Sequence, residues 1–258
     1  MKIGRVLFNS KEYYAVFDDN KELAYLYEHE FYNYKNSIPV KFKDIKFLPP
    51  TKPRNVISMG FNYLEHIQEA KERGMSVPEI KEPLITLKGV NSLIGHLEKI
   101  TLPKFTNIVE FEGEFTIVIG RTCKDVSEKE AEKYILGYTL ANDLTARDLQ
   151  FIDGQWARSK SIDNFCPIGP WIETELDPFS VEIKTYLNSN EVQSTNTSKL
   201  LFNPYKIVSH VSKFITLVPG DVILTGTPSG VKALRHGDTV EIFAKGLGKL
   251  SNTFIKGL

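Results

Sequence analysis

Short runs of apolar and aromatic residues, separated by polar turns, dominate the first fifty residues. Residues 3–8 and 13–17 are two such runs, with a short polar turn between them. Short apolar runs bounded by turn-forming residues are typical of β-strands. Three prolines within residues 49–53 then interrupt regular structure, because proline lacks an N–H group and restricts the residue before it. We therefore predict a small strand-rich domain over residues 1–50 and a second domain over residues 51–258.

Three segments of the second domain have the spacing and end signals of helices. A helical pattern covers residues 62–73, and Gly74 supplies a helix end. Residues 127–135 begin with SEKE, the spacing of a capping box, which predicts a second helix. An Asn-Pro pair predicts the start of a third helix over residues 203–214, because asparagine caps a helix and proline suits its first turn.

Strand patterns cover much of the rest of the second domain. Apolar runs are found at residues 55–58, 84–88, 115–119 and 137–142, and a hairpin is predicted from residues 181–187 and 191–194. We predict loops at residues 74–83, as a lid, and at residues 150–171, as the wall of a pocket. Residues after 219 form short strands and tight turns. The patterns therefore predict a mostly β fold with about three helices.

The composition is that of a globular protein without net charge. The 258 residues include 32 Lys and Arg against 32 Asp and Glu, and 41% are hydrophobic. This balance argues against nucleic acid or an anionic membrane surface as a partner, since both attract basic proteins. The apolar runs are too short to span a membrane or to form a signal peptide. With only two cysteines, we expect a reduced cytoplasmic protein without a disulfide framework.

Carboxylates are the candidate metal ligands. Glu112 and Glu114 flank a glycine at the start of an apolar strand, and residues two apart on a strand face the same side. Asp143 follows the end of another apolar strand. A lone Glu-x-Glu pair is most often a solvated strand end. Three carboxylates without a nearby cysteine instead favour a hard divalent ion, namely Mg²⁺ or Mn²⁺, with Ca²⁺ as a third candidate.

His66 and Glu69 are the candidate general base. At positions i and i+3 of a helix they share one face, so the carboxylate can orient the imidazole and raise its basicity. The alternative is an ordinary exposed helix face, because the neighbouring positions are also charged. Motifs of phosphate loops, serine hydrolases and zinc proteases are absent from the sequence, which leaves carboxylate and imidazole chemistry as the main hypothesis.

Polar residues elsewhere are candidates for substrate binding. Arg147, Gln150 and Lys160 lie in or beside the predicted loop at residues 150–171, where the two cations could bind an anion. Each cation by itself is more often a solvated surface group. Thr227 lies in the turn TGTPSG, whose backbone N–H groups could hold a carboxylate, although a plain hairpin loop is the alternative.

Taken in order, six segments resemble the fumarylacetoacetate hydrolase family. They are GFNYLEHIQEA, VEFEGEFTIVIGR, LGYTLANDLTARDLQ, QWARSKSIDNFCPIGPW, NTSKLLFNP and VPGDVILTGTPSGV. The resemblance implies rolled mixed β-sheets with a barrel-like core, and a homodimer. It also implies roles for the candidate residues: a divalent metal held by Glu112, Glu114 and Asp143, a lid carrying His66 and Glu69, a substrate-facing set of Arg147, Gln150 and Lys160, and a carboxylate-binding turn containing Thr227.

The activity that this resemblance implies is metal-dependent hydrolysis of a C–C bond in a 2,4-dioxo acid of the acylpyruvate or fumarylpyruvate type. Isomerisation of 2-hydroxy-dienedioates, tautomerisation, or decarboxylation of an oxo-diacid such as oxaloacetate is the alternative on the same site. A non-catalytic binding protein is a third hypothesis, which the His66–Glu69 pair argues against. Lys88-Gly89 and Asp163-Asn164-Phe165 depart from the family pattern, which leaves the substrate open.

Overall fold

β-Strands make up most of the regular structure in the computed structural model, which describes residues 1–28 and 37–257. Numbered along the chain, the strands are β1 (Lys2–Phe8), β2 (Lys11–Asp18), β3 (Leu23–Tyr27), β4 (Ile38–Lys41), β5 (Lys46–Phe47), β6 (Val56–Gly60), β7 (Leu84–Lys88), β8 (Leu93–Ile94), β9 (Lys99–Leu102), β10 (Val109–Glu110), β11 (Gly113–Ile119), β12 (Ile135–Asn142), β13 (Thr145–Ala146), β14 (Cys166–Glu173), β15 (Glu182–Leu187), β16 (Asn190–Asn196), β17 (Val222–Leu224), β18 (Thr239–Ala244) and β19 (Gly248–Lys256). The α-helices are α1 (Leu64–Glu72), α2 (Arg147–Asp153), α3 (Ala157–Lys160) and α4 (Pro204–Phe214).

Most of these strands belong to one large mixed sheet. Its described strands have the order β4-β3-β2-β1-β14-β12-β11-β17-β6-β7, with β5 on β1 and β8 on β14. A second sheet has the order β16-β15-β18-β19-β9, and β10 pairs with β13. The pairs β6–β17, β8–β14 and β9–β19 are parallel. The mostly β fold with mixed sheets is confirmed, although none of the sheets in the described ranges closes into a complete barrel.

Strand β11 is buried on both faces, at the centre of the molecule. Alternate residues of a strand face opposite sides. Phe115 and Ile117 therefore enter the main core, which also contains Ile242 of the second sheet. Val118 packs on the other side of the large sheet, in the cluster that contains Val56. Burial on both faces explains why this segment appears in the sequence as a continuous apolar run.

The pairing of the central strands brings the candidate site to one edge of the large sheet. Gly113 of β11 pairs with Asn142 of β12, so the residues just beyond this pair lie side by side. The Asp143 N–H donates to the Glu112 carbonyl at 2.8 Å. Strand β17 pairs antiparallel with β11, and β6 pairs parallel with β17. The carboxyl ends of β17 and β6 therefore reach the same edge of the sheet. The amino end of β11 and the carboxyl ends of three other strands therefore meet there.

The strands before residue 50 extend the large sheet. Lys2 of β1 pairs with Glu173 of β14, and Phe17 and Phe47 pack in one cluster with Trp171. These contacts tie the N-terminal strands to the rest of the described structure. The division into two domains near residue 50 stays a prediction.

Several predicted elements are confirmed where local signals are strong. β1 and β2 form a hairpin, as do β15 and β16. The Asn203 side chain accepts a hydrogen bond from the Lys206 N–H at 2.9 Å at the start of α4. Helix α1 ends at Glu72, and Gly74 follows with φ of 79°, a left-handed conformation that glycine adopts at low cost. Residues 75–83 have no regular secondary structure, as predicted for the lid.

One predicted helix differs in type, and one predicted loop is wrong. The capping-box segment forms a 3-10 helix, Glu128–Tyr134, and the Ser127 hydroxyl donates to the Glu130 carboxylate at 2.9 Å instead of capping the backbone. Residues 150–171, predicted as a loop, contain the end of α2, all of α3 and most of β14. Strand β14 contains Pro167, Gly169 and Pro170, residues that normally indicate a loop, but it is fully buried between β1 and β12. Tertiary burial outweighed its low strand propensity.

No helix in the part of the chain that the structure describes is long and apolar enough to cross a membrane. Cys123 and Cys166 are both buried and unbonded. A cytoplasmic location stays a prediction.

Candidate active site

Glu112, Glu114 and Asp143 converge at the edge of the large sheet. One carboxylate oxygen from each lies within 4.8 Å of the other two. All three residues are buried, with exposed fractions of 5%, 1% and 0%. The structure therefore brings together the three residues that the sequence analysis grouped, while their role as metal ligands stays a prediction.

Two buried lysines bind this acidic triad. Lys88 Nζ donates to Asp143 Oδ1 at 2.7 Å, and Lys160 Nζ donates to Asp143 Oδ2 at 2.7 Å. Lys160 also donates to Glu112 Oε2 and to Thr145 Oγ1, both at 3.0 Å. An ammonium group has three N–H donors. All three donors of Lys160 are therefore engaged by protein acceptors, which fixes the carboxylates of Asp143 and Glu112. Lys160 also lines the cleft, and its contact with a substrate stays a prediction.

Glu114 is the least neutralised member of the triad. Its Oε2 accepts a hydrogen bond from the Gly226 N–H at 2.6 Å, and no lysine or arginine of the described residues forms an ion pair with it. Burial and the charges of Asp143 and Glu112 raise the pKa of Glu114 well above its ordinary value. Burial would also raise the pKa of Asp143, but the charges of Lys160 and Lys88 outweigh it and leave that pKa below its ordinary value. Without a cation, these effects favour the protonated, neutral form of Glu114, the triad member that no lysine or arginine of the described residues neutralises.

The donor set fits a hard divalent cation. Oxygen ligands are those that Mg²⁺, Mn²⁺ and Ca²⁺ prefer, and no sulfur or imidazole ligand belongs to this group. A cation among the three carboxylates would relieve the repulsion that raises the pKa of Glu114. Glu112, Glu114 and Asp143 are thus the residues that would hold it, and three protein ligands leave positions open for water or substrate.

His66 and Glu69 form a hydrogen-bonded pair beside the triad. His66 is 9% exposed and lines the same cleft as Glu112 and Glu114, so the alternative of a solvated helix face is excluded for it. Its Nδ1 lies 3.1 Å from Glu69 Oε2, and Glu69 Oε1 accepts from the Gly230 N–H at 2.9 Å. With Nδ1 as the donor in this pair, Nε2 is the free basic nitrogen.

Glu69 is ionised at neutral pH. Burial would raise the pKa of Glu69, but the hydrogen bonds from His66 and from the Gly230 N–H outweigh it, so that this pKa lies below its ordinary value. An ionised carboxylate holds the imidazole in one tautomer and stabilises its protonated form. The pair therefore has the arrangement of a general base and the group that orients it.

Arg147 is held by three side chains at the other wall of the cleft. Its Nε donates to Glu110 at 2.7 Å, one terminal nitrogen donates to Gln150 at 2.6 Å, and the other donates to Glu112. A guanidinium has five N–H donors, so two remain for an anionic substrate. Glu110 also binds Arg73 at the end of α1. Arg147 and Gln150 are thus placed in the cleft as predicted, and their contact with a substrate stays a prediction.

The turn after β17 uses its backbone N–H groups on the protein's own carboxylates. Gly226 donates to Glu114, and Gly230 donates to Glu69. Thr227 lines the cleft, but its hydroxyl donates to the Gly113 carbonyl at 3.1 Å and accepts from Gln193 at 3.0 Å. The predicted capture of a substrate carboxylate by this turn stays a prediction, and its observed hydrogen bonds position the catalytic candidates.

Several residues of the site were not predicted from the sequence. Lys88 was named only as part of the pair Lys88-Gly89, in which Gly89 departs from the family pattern, yet its side chain is completely buried against Asp143. Ser58 donates to Asp143 Oδ2 at 2.6 Å, and Glu110 joins Arg73 to Arg147. One signal could have indicated Lys88: it follows the apolar run LITL directly, as Asp143 follows another strand. No local signal distinguishes Ser58 or Glu110.

The cleft between these groups is small, with a volume of about 20 Å³, which is room for about one water molecule. A sequence model described as fumarylacetoacetate (FAA) hydrolase C-terminal matches residues 55–255. The chain belongs to the fumarylacetoacetate hydrolase family. The fold, the acidic triad and the His66–Glu69 pair described above are therefore those of a fumarylacetoacetate hydrolase family member.

Relatives within the fumarylacetoacetate hydrolase family have several names. The chain is 43% identical to an uncharacterised protein of Archaeoglobus fulgidus, over 98% of this chain and 96% of that one. It is 38% identical to a mitochondrial oxaloacetate tautomerase of Rattus norvegicus, over 82% of this chain and 70% of that one. The crystal structure of a 5-carboxymethyl-2-hydroxymuconate delta-isomerase from Mycobacterium smegmatis superposes with a TM-score of 0.88, at 40% identity and 100% coverage of both chains.

We expect Mn²⁺ or Mg²⁺ to stabilise this family member against heat. A ligand that binds only the folded state at 100 times its Kd adds about 2.7 kcal/mol, which corresponds to a Tm rise of roughly 5–10 °C for a chain of this size. Glu114→Gln should abolish most of the rise, because it removes a triad carboxylate. Differential scanning fluorimetry with and without each metal measures it. An equal rise in wild type and Glu114→Gln would mean that the metal binds elsewhere.

Proposed function

We propose that this protein is a divalent-metal-dependent hydrolase that cleaves a C–C bond in 2,4-dioxo acids of the acylpyruvate type. The observation that carries the proposal is the pair His66–Glu69, whose imidazole lines the cleft of the acidic triad. A base placed next to a candidate Lewis-acid site is what hydrolysis of a dioxo acid requires. Binding alone would need no such base. Membership of a family whose named members are enzymes also supports catalysis.

The chain's own residues supply the base and its orientation. Glu69, fixed by the Gly230 N–H, holds His66 with Nε2 toward the cleft. Nε2 accepts a proton from a water, and the resulting hydroxide attacks the distal carbonyl of the dioxo acid. The bond between that carbonyl and the central methylene then breaks, which yields a carboxylic acid and the enolate of pyruvate. The protonated His66 then returns its proton to the enolate carbon, which gives pyruvate and restores the free base.

The remaining polar residues bind and orient the substrate head. A divalent cation held by Glu112, Glu114 and Asp143 would act as a Lewis acid for the oxo-acid oxygens. Arg147 has two free N–H donors for a carboxylate, and Gln150 fixes its orientation. Lys160 lies at 2.7 Å from Asp143 and supplies fixed positive charge next to the developing enolate.

A second candidate, tautomerisation or isomerisation of oxo acids, is favoured by the names of two relatives, an oxaloacetate tautomerase and a muconate isomerase. It uses the same base to move a proton between carbon and oxygen without attack by water. The two candidates share the fold, the triad and the base, so the site alone does not separate them.

The deciding experiment is a substrate screen with purified protein and added Mg²⁺ or Mn²⁺. The substrates are acetylpyruvate, fumarylpyruvate, oxaloacetate and 2-hydroxyhepta-2,4-diene-1,7-dioate. Release of pyruvate from an acylpyruvate, dependent on metal, is the expected result. Keto–enol interconversion of oxaloacetate, or isomerisation of the dienedioate, without any C–C cleavage would replace the hydrolase proposal by the second candidate.

We also propose that the protein is a C2 homodimer. Large apolar side chains are exposed at the surface, such as Phe105 and Phe214 with exposed fractions of 66% and 64%, and their burial between two subunits would be favourable. The zero net charge gives little repulsion between two copies of the chain. Multi-angle light scattering at micromolar concentration should therefore give about twice the mass of the 29.3 kDa chain. A monomer mass under these conditions would reject the dimer.

A further inference from the structure

A larger concavity opens directly beside the catalytic cleft. Its volume is about 780 Å³, against about 20 Å³ for the cleft. Phe61, Met75, Gln150 and Trp156 line both. Because these four residues belong to both linings, the two spaces are adjacent, and the four side chains form their common boundary. We call this larger space the apolar groove.

The apolar groove and the cleft have opposite chemistry. The cleft is lined by charged residues such as Glu112, Arg147 and Lys160. None of the described residues that line the groove is Asp, Glu, Lys, Arg or His. Its walls are mainly apolar, with Leu87 and Phe151 among them. A charged group placed in the groove would lose water without gaining an opposite charge, whereas an apolar group would gain from burial.

The groove exposes apolar surface of the chain as it stands. Leu87 is 50% exposed and Phe151 is 54% exposed, and both line it. One side of the groove is formed by Met75, Ser76 and Pro78 of the predicted lid. Contiguous apolar surface beside a catalytic cleft is typical of a ligand-binding groove.

We propose that the apolar groove binds an uncharged, apolar tail of the substrate while the oxo-acid head lies at the triad. The proposal rests on the proposed function and narrows its substrate class. Acylpyruvates with extended alkyl or aryl acyl groups match the chemistry of both linings, with a polar head and an apolar tail. Substrates whose far end is a second carboxylate, such as fumarylpyruvate, would place that charge in the groove and are disfavoured.

The first test is a binding measurement that needs no turnover. Calorimetry with the full-length protein and Mn²⁺ compares 2-oxobutanoate, 2-oxohexanoate and 2-oxooctanoate. Each methylene buried in the groove should raise affinity by about two- to fourfold. The matched probe 2-oxohexanedioate, which ends in a carboxylate, should bind at least about tenfold more weakly than 2-oxohexanoate.

The second test places a charge in the groove. Leu87→Lys should weaken binding of 2-oxooctanoate and strengthen binding of 2-oxohexanedioate, which reverses the preference of the wild type. Leu97→Lys is the control, because Leu97 is 66% exposed and lies outside the groove lining. The control should leave the ratio of the two affinities unchanged. Light scattering of both variants measures their oligomeric state.

The outcomes separate this proposal from the proposed function. If affinity depends on tail length but no acylpyruvate is cleaved, the groove proposal stands and the hydrolase proposal is rejected. Cleavage without tail-length dependence would reject the groove and retain the hydrolase, and failure to bind any 2-oxo acid would reject both. If Leu87→Lys lowers the oligomeric mass and leaves the chain-length preference unchanged, the groove is a contact between subunits and the proposal is wrong.

Discussion

Glu69→Gln is expected to lower kcat/KM for acylpyruvate cleavage by about 10²–10⁴-fold, the usual contribution of general base catalysis. Glutamine keeps the shape of the side chain, and its Oε1 still accepts from the Gly230 N–H. It removes the negative charge that holds His66 in one tautomer and stabilises its protonated form. Metal affinity should stay almost unchanged, because Glu69 does not belong to the acidic triad. Steady-state kinetics with acetylpyruvate measure the effect.

The same variant distinguishes hydrolysis from chemistry that needs only an enolate. Any oxaloacetate decarboxylation should fall much less than acylpyruvate cleavage, because it requires no attacking water. Glu72→Gln, one helical turn further along α1 and bonded to the exposed Gln68, is the matched control and should change neither reaction. If Glu69→Gln depresses both reactions equally, the pair does not activate water, and the tautomerase or isomerase candidate becomes the better description.

Glu112→Gln is expected to damage every reaction of this site by about 10²–10³-fold. A Lewis acid supplies several kcal/mol of charge stabilisation, and each 1.36 kcal/mol corresponds to a factor of ten in rate. Glu112 carries part of the cation site and also binds Lys160 and Arg147. Removing the negative charge of Glu112 would weaken metal binding, and Lys160 and Arg147 would each lose one carboxylate partner.

The measurement is the ratio of the two kcat/KM values, for acylpyruvate cleavage and for oxaloacetate decarboxylation, in Glu112→Gln and in Glu69→Gln. Glu112→Gln should leave this ratio near its wild-type value while both constants fall, and excess Mn²⁺ should restore part of the activity. The ratio should change strongly in Glu69→Gln. A Glu112→Gln enzyme with full activity at low metal concentration would exclude Glu112 as a metal ligand.

Local chemistry of the sequence determined the elements whose signals lie within a few residues. The Asn203–Pro204 pair fixed the start of α4, because a side-chain acceptor for the Lys206 N–H is a local requirement. The glycine at 74 similarly marked the end of α1. The family and the three residues of the acidic triad could also be predicted, because the order and spacing of the motifs can be seen directly in the sequence.

Two features were not predictable in this way: the 3-10 geometry of one helix and the strand conformation of the buried segment β14. The 3-10 helix Glu128–Tyr134 has the capping-box pattern, but the Ser127 and Glu130 side chains bind each other. Strand β14 contains two prolines and a glycine within eight residues, yet it is completely buried in the large sheet. Propensity is a weak prior that tertiary contacts override.

The candidate site was likewise only partly predictable from the sequence. Glu112, Glu114, Asp143 and the His66–Glu69 pair could be named from the sequence, because each lies at a strand end or at helical spacing. Their partners could not be named, because Lys88 and Ser58 reach Asp143 from strands 55 and 85 residues away in the chain. The apolar groove likewise exists only where the lid segment, β7 and α2 come together. Contacts between residues distant in the chain are set by strand pairing and packing. Only the tertiary structure therefore decided which charged side chains neutralise one another, and which apolar side chains stay exposed next to the cleft.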